Sequence, residues 1–331
     1  MGKLKTSFAG LTLRNPLIIG SSGLTNSAEK NKKLEDAGAG ALVLKSIFEE
    51  QITHKASSLV KNEHPEDNDY MEGYLRSHYL SEYIRLLKET KMKCHIPVIA
   101  SINCYSNTEW VEFATLLGES GADALELNIL ALPATRDYVY GSFEQQHIDI
   151  LRRVKAQVSI PVILKLGNNF TNPVKLIDQL YANGAAGVVL FNRMHQPDIN
   201  IHTLQHSSGE VFSHPGEVAN ALRWIGLGSA AVPQIDLAAS GGVADGNSMI
   251  KVLLAGASAA EVCSVIYRDG MGVICPILND MEAWMEDLGY TSICQFKGTM
   301  NAHHIAGIDV FERTQFLKYF ENKEEAIVAA R

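Results

Sequence analysis

The sequence predicts an eight-fold (β/α) barrel, and three observations carry that prediction. Eight short apolar runs alternate with longer amphipathic stretches, a joint of small residues recurs between helix and strand, and the last two runs end in glycine- or serine-bearing turns. The apolar runs lie at 17–21, 41–45, 98–103, 124–128, 162–166, 187–191, 235–239 and 259–263. Nearly continuous apolar strands separated by helices are what a parallel sheet buried on both faces requires. The helix-like stretches lie at 27–37, 79–91, 107–119, 142–157, 172–182, 215–226 and 246–255, with a last one at 271–287. An open doubly wound sheet shares the alternation but rarely supplies eight units.

The joints are Gly38-Ala39-Gly40-Ala41, Gly121-Ala122-Asp123-Ala124, Gly184-Ala185-Ala186-Gly187 and Gly256-Ala257-Ser258-Ala259. A glycine there takes the left-handed position that ends a helix, and its small neighbours permit a tight entry into the next strand.

Each strand exit carries its own signal. The first run ends in Ser21-Ser22-Gly23 and the second in Lys45-Ser46. A long segment, 47–78, follows the second run, and its acidic part, 63–69, reads as solvated loop. Asn103, Asn128 and Asn192 close the third, fourth and sixth runs, and Lys165 lies near the end of the fifth. A polar segment, 192–214, follows the sixth. Both long segments fall on the strand-exit face, where barrel sites are built, and read as lid or substrate loops. Ser240-Gly241-Gly242 ends the seventh run and Cys263-Ser264 the eighth. Small residues let backbone N–H groups come close to an anion, and the loops after strands 7 and 8 are the usual phosphate site of such barrels. The lysines and asparagines converge on the same mouth, which suits a ligand with a phosphate tail and a polar ring edge.

Composition narrows the classes. With 331 residues, 46% hydrophobic and 20% charged, the chain suits a soluble globular protein with a large core. A net charge of -8 argues against nucleic acid as a partner, and no run approaches the length of a membrane span. The five cysteines at 94, 104, 263, 275 and 294 form no C-x-x-C pair, so neither a disulfide framework nor an iron–sulfur cluster is expected, and no metal site is assigned. A reducing cytoplasm is the expected setting. Residues 1–298 are expected to form one barrel domain, and 299–331 a C-terminal helical appendage for packing or oligomer contact.

From about Phe8 to Gly298 the chain resembles the dihydroorotate dehydrogenase family of FMN-dependent barrels. The resemblance is carried by Asn15-Pro16 with Gly20-Ser21-Ser22-Gly23, by Lys45-Ser46, Glu126-Leu127-Asn128 and Lys165-Leu166, and by Ser240-Gly241-Gly242-Val243 with Cys263-Ser264. The closing segment, Gly289-Tyr290-Thr291-Ser292-Ile293 with Phe296-Lys297-Gly298, is similar as well. The resemblance implies that Ser22, Lys45, Ser46, Asn128, Lys165, Asn192, Ser240, Gly241, Gly242, Cys263 and Ser264 contact FMN. An ammonium fixed beside a reduced flavin stabilises its negative charge, and Lys165 is the better placed of the two lysines.

The chain departs from the family pattern on the substrate side. The family has a cysteine or serine base shortly after Glu-Leu-Asn; here Ala131 or Leu132 stands in that place, depending on the end from which one counts, and neither accepts a proton. The substrate loop expected within 47–80 has no counterpart, and the asparagine pair expected after the sixth strand is reduced to Asn192. Cys263 replaces a glycine. Replacement bases are sought in Cys104, Tyr138 and His195, and substrate contacts in Asn103 and Arg193. The expected partners are a small-molecule substrate and a soluble electron acceptor or separate redox protein, with a homodimer implied by the resemblance. Two other functions remain open: a phosphate-binding lyase or aldolase using Lys165 as a Schiff base, and a non-catalytic FMN-binding protein.

Overall fold

A computed structural model describes residues 2–48, 65–103, 109–194 and 196–304. Its centre is the predicted barrel. The strands are β3 (Leu17–Ile19), β4 (Ala41–Val43), β6 (Val98–Asn103), β7 (Ala124–Asn128), β8 (Val162–Leu166), β9 (Gly187–Leu190), β12 (Asp236–Ser240) and β13 (Ala259–Val262). Each pairs in parallel with the next, and β13 returns to β3 with Ala260 beside Leu17 and Val262 beside Ile19. The surrounding helices are α1 (Ala28–Asp36), α2 (Pro65–Lys93), α3 (Glu109–Glu119), α4 (Ser142–Lys155), α5 (Pro173–Ala182), α6 (Val218–Ala231) and α7 (Gly246–Ala255), then α8 (Ser264–Asp269) and α9 (Ile274–Asp287).

Several elements differ from the sequence expectation, each for a physical reason. The second strand stops at Val43 and resumes as β5 (Ile47–Phe48). Val43 pairs with Ile99 and Ile47 with Ile102, so one strand takes four steps where its neighbour takes three. The extra residue is a bulge, and it falls at Leu44-Lys45-Ser46. The acidic stretch at 63–69 is not all loop, because α2 begins at Pro65. Proline is tolerated in the first turn of a helix. The expected helix at 79–91 is the second half of this longer one.

Two hairpins carry no apolar alternation long enough to be seen in sequence. β10 (Pro197–Asn200) and β11 (Gln205–Ser208) pair inside the segment expected as loop, and every residue of both is exposed. At the other end, β1 (Thr6–Phe8) and β2 (Leu11–Leu13) are joined by Ala9 and Gly10, with φ of 52° and 79°. Two positive φ values in a two-residue turn match the twist of a tight hairpin, but Ala-Gly lacks the usual Asn-Gly signature.

The β1–β2 hairpin plugs the strand-entry end. Phe8 and Leu13 are fully buried and pack with Ile18, Ala41, Val43, Ile99, Ala124, Ile163, Val189, Ala238 and Ala259, the lowest inward layer of the barrel. Asp236 holds the plug by accepting the Ala9 N–H at 3.0 Å and the Ser258 hydroxyl at 2.5 Å. A second, larger core lies between the barrel and its helices. Segment 298–302 is fastened to α7 and α6, with the Met300 N–H on the Leu254 carbonyl and the Ala302 N–H on the Gly226 carbonyl. The rest of the expected appendage, including its helix at 311–330, lies outside the described residues. No described helix is long and apolar enough to cross a membrane.

Candidate functional site

Side chains of a strand alternate between its two faces, so positions two beyond the apolar bottom layer also point inward. Counting up from Ile99, Ala124, Ile163 and Ala259 gives Ser101, Glu126, Lys165 and Glu261. The second layer of this barrel is therefore polar and charged, and all four residues are buried. Lys165 Nζ lies 2.5 Å from Glu261 Oε2, with side chains 8% and 1% exposed. Ser101 donates to Glu126 Oε1 at 3.1 Å. One step higher, Asn103 and Asn128 reach the rim.

A cleft of about 490 Å³ opens above this layer. Lys165 and Glu261 of the buried layer line it together with the exits of four strands that follow one another around the barrel: Phe191, Asn192 and Arg193 after β9, Ser240, Gly241, Gly242 and Val243 at the end of β12, Cys263 and Ser264 after β13, and Ser21 and Ser22 after β3. Asn192 Nδ2 donates to Asn128 Oδ1 at 2.7 Å, fixing both amides. Gly241 and Gly242 have φ of 92° and 75°. A Cβ on Gly242 would stand 2.2 Å from the Val218 nitrogen, so the turn needs glycine there to lie against the start of α6. Cys263 precedes α8 with its sulfur under Gly20, and burial pushes its thiol up to about 11.

The segment before α6 lies over the last two turns. The Ser213 N–H donates to Ser264 Oγ at 2.9 Å, and Ser213 Oγ accepts the Gly242 N–H at 3.3 Å. Arg268 donates to the Ser213 carbonyl at 3.2 Å, and Phe212 stacks on Tyr267 with centroids 5.4 Å apart.

Charge in the second layer follows from burial and contact. Burial raises the Glu126 carboxyl well above the usual range, and the Glu261 charge beside it raises it further. Burial alone would lower Lys165, but Glu261 and Glu126 outweigh it and hold the ammonium above its ordinary value. Lys165 is therefore a charged lysine at neutral pH.

The structure brings some of the sequence candidates together and leaves others apart. Ser22, Asn192, Ser240, Gly241, Gly242, Cys263, Ser264 and Lys165 line the cleft, and Asn128 is tied to it through Asn192. Lys45 and Ser46 line a neighbouring recess of about 370 Å³ between α1 and α2, where Lys45 is exposed and Ser46 buried. Arg193 gives its guanidinium to Glu217 at 3.2 Å, to the Val211 carbonyl at 3.2 Å and to the Glu210 carbonyl. Tyr138 packs against the core with its ring edge on Tyr140, away from the cleft lining. Ala131 and Leu132 lie in an exposed loop. Cys104 and His195 lie outside the described residues. The sequence reading passed over Glu261 and, as a charge, Glu126. The available signal was a carboxylate inside the apolar run Ala259-Ala260-Glu261-Val262, which a strand buried on both faces admits only with a partner.

A closed parallel barrel ringed by helices, with a cleft over a buried lysine at its strand-exit end, is a (β/α)₈ barrel with its candidate site where such barrels build theirs. Residues 3–285 match the family described as dihydroorotate dehydrogenase. A Methanocella arvoryzae protein named dihydroorotate dehydrogenase B (NAD(+)), catalytic subunit, is 32% identical over 280 residues, covering 81% of this chain and 88% of that one. Proteins of the same name from Thermoplasma volcanium, 25% identical over 315 residues (90% and 98% covered), and Pyrococcus abyssi, 28% over 307 (89% and 98%), are similar as well. The chain belongs to the dihydroorotate dehydrogenase family, and with it to the oxidoreductases acting on a CH–CH bond.

Proposed function

We propose that this chain is an FMN-dependent oxidoreductase whose substrate is a small molecule other than dihydroorotate. The cleft supports the cofactor half. Its volume falls in the range of ordinary ligand sites, and Gly241 and Gly242, which line it, take positive φ values that let the backbone of the turn approach a ligand closely. The Gly242 and Ser264 turns would hold the phosphate, Asn128 and Asn192 the ring edge, and Lys165 the pole of the ring that gains charge. FMN bound there supplies a hydride acceptor. The chain's own residues position it and exclude water from the floor.

The substrate half rests on Ala131 and Leu132, exposed loop residues at the expected place of the base, neither of which accepts a proton. The relatives are named as NAD(+)-linked catalytic subunits, so a separate redox partner is the proposed outlet for electrons. The ion pair of Lys165 weighs against the Schiff-base alternative, since an amine must lose its proton before it attacks a carbonyl.

Anaerobic mixing of the flavin-loaded chain with dihydroorotate tests both halves. Bound flavin that bleaches about 10²-fold or more slowly than base-assisted oxidation allows is the expected result. Bleaching at a catalytic rate would overturn the altered substrate, and failure to bind FMN would overturn the whole reading.

A further inference from the structure

A chain of hydroxyls joins the cleft to the two buried carboxyl groups. Ser21 lines the cleft, and its Oγ lies 2.9 Å from Ser46 Oγ, which lies 2.7 Å from Ser101 Oγ. Ser101 then donates to Glu126 Oε1. The Ser46 N–H also donates to Ser21 Oγ at 2.8 Å, and the Ser21 hydroxyl is free to donate to Ser46 Oγ. Every hydroxyl proton can thus point toward Glu126.

The other oxygen, Glu126 Oε2, is buried and has no hydrogen-bond partner among the described residues, and Glu261 is the carboxyl group beside Glu126. As a carboxylate that oxygen is orphaned; as an acid it has an acceptor. Two carboxyl groups in contact away from water do not both ionise. The pair therefore holds one shared proton, and Glu261 Oε2 faces Lys165. Among the described residues, the other titratable groups that meet this cluster are Tyr83, which bonds the Ser101 backbone, and Cys263.

We propose that Ser21, Ser46, Ser101, Glu126 and Glu261 form a proton relay that takes a proton from the cleft and stores it on the two carboxyl groups, freeing Lys165 from its carboxylate partner. In the resting state the carboxyl pair holds one proton and Lys165 is positive. A proton entering at Ser21 displaces one along each hydroxyl to Glu126 Oε1, as Oε2 passes its own to Glu261. One proton has then left the cleft, both carboxyl groups are neutral, and Lys165 stands as an unpaired cation beneath the ligand. Oxidation of a CH–CH bond releases a proton together with a hydride. With FMN held in the cleft to supply the hydride acceptor, a substrate whose reacting C–H reaches Ser21 would find in the relay the proton acceptor that Ala131 and Leu132 do not offer. This last use rests on the proposed function; the shared proton does not.

Infrared spectroscopy of the full-length, flavin-loaded protein tests the proposal. A neutral carboxylic-acid stretch is expected at pH 7 in the wild type and in Ser46→Ala, and it should be lost in Glu126→Gln. On transfer to heavy water the band shifts as the acid proton exchanges, and the shift should slow at least about tenfold in Ser46→Ala and recover in Ser46→Thr. A wild type with no neutral-acid band at pH 7 overturns the shared proton. Exchange equally fast in Ser46→Ala overturns the relay. Visible absorption of the same sample reports bound flavin separately, so failure of the cofactor reading cannot be mistaken for failure of the relay.

Discussion

Lys165 is the residue on which most of the chemistry turns, and its environment differs from that of an isolated ammonium beside a ligand. It is buried against Glu261 and stays charged because of that contact. Removing one member of a buried ion pair leaves the other charge uncompensated, at a cost of about 3–5 kcal/mol. Lys165→Met should lower unfolding stability by that order in urea melts, and adding Glu261→Met should recover much of the loss. Glu126 adds a pH dependence of definite sign. Its folded-state pKa lies above the ordinary value of 4.5, so the native state binds more protons than the unfolded one as pH rises through and beyond that value. Stability present below about 4.5 is lost as pH rises toward the raised folded value. In Glu126→Gln that decline disappears, which urea midpoints at pH 4, 5, 6 and 7 would show.

Strand exits were legible in sequence at this scale because a lysine, an asparagine or a glycine pair interrupts an apolar run where the chain leaves the barrel. The buried carboxylates were not, since glutamate is usually a surface residue and only the parity of the strands turns Glu126 and Glu261 inward. The choice among Cys104, Tyr138 and His195 was equally illegible, because spacing says nothing of which loop side chains converge.

Among the elements, all eight barrel strands followed from apolar runs and small-residue joints, since a strand buried on both faces writes its burial into every residue. The β1–β2 and β10–β11 hairpins did not, being three or four residues long, with every residue of the second pair exposed. The first hairpin is nonetheless structural. Phe8 is fully buried in the lowest barrel layer, so Phe8→Ala should cost about 3–5 kcal/mol in unfolding stability while leaving the visible spectrum of a loaded protein unchanged. Gly242→Ala acts at the opposite end. Its φ of 75° and a Cβ only 2.2 Å from the Val218 nitrogen force the turn or α6 to move, so both melting temperature and FMN affinity should fall.

For the whole molecule, the barrel sets a polar, charged layer between an apolar bottom sealed by a hairpin and a mouth rimmed by amides and phosphate-type turns. Those turns are the anchor from which the flavin reading grows. The most direct test is a calorimetric titration of the flavin-free chain with FMN and with riboflavin, which differ only in the phosphate. Two charge-assisted hydrogen bonds at about 1.5 kcal/mol each predict that FMN binds roughly 100-fold tighter than riboflavin. Equal affinity for the two, or no binding of either, would contradict a flavin phosphate held at Gly242 and Ser264.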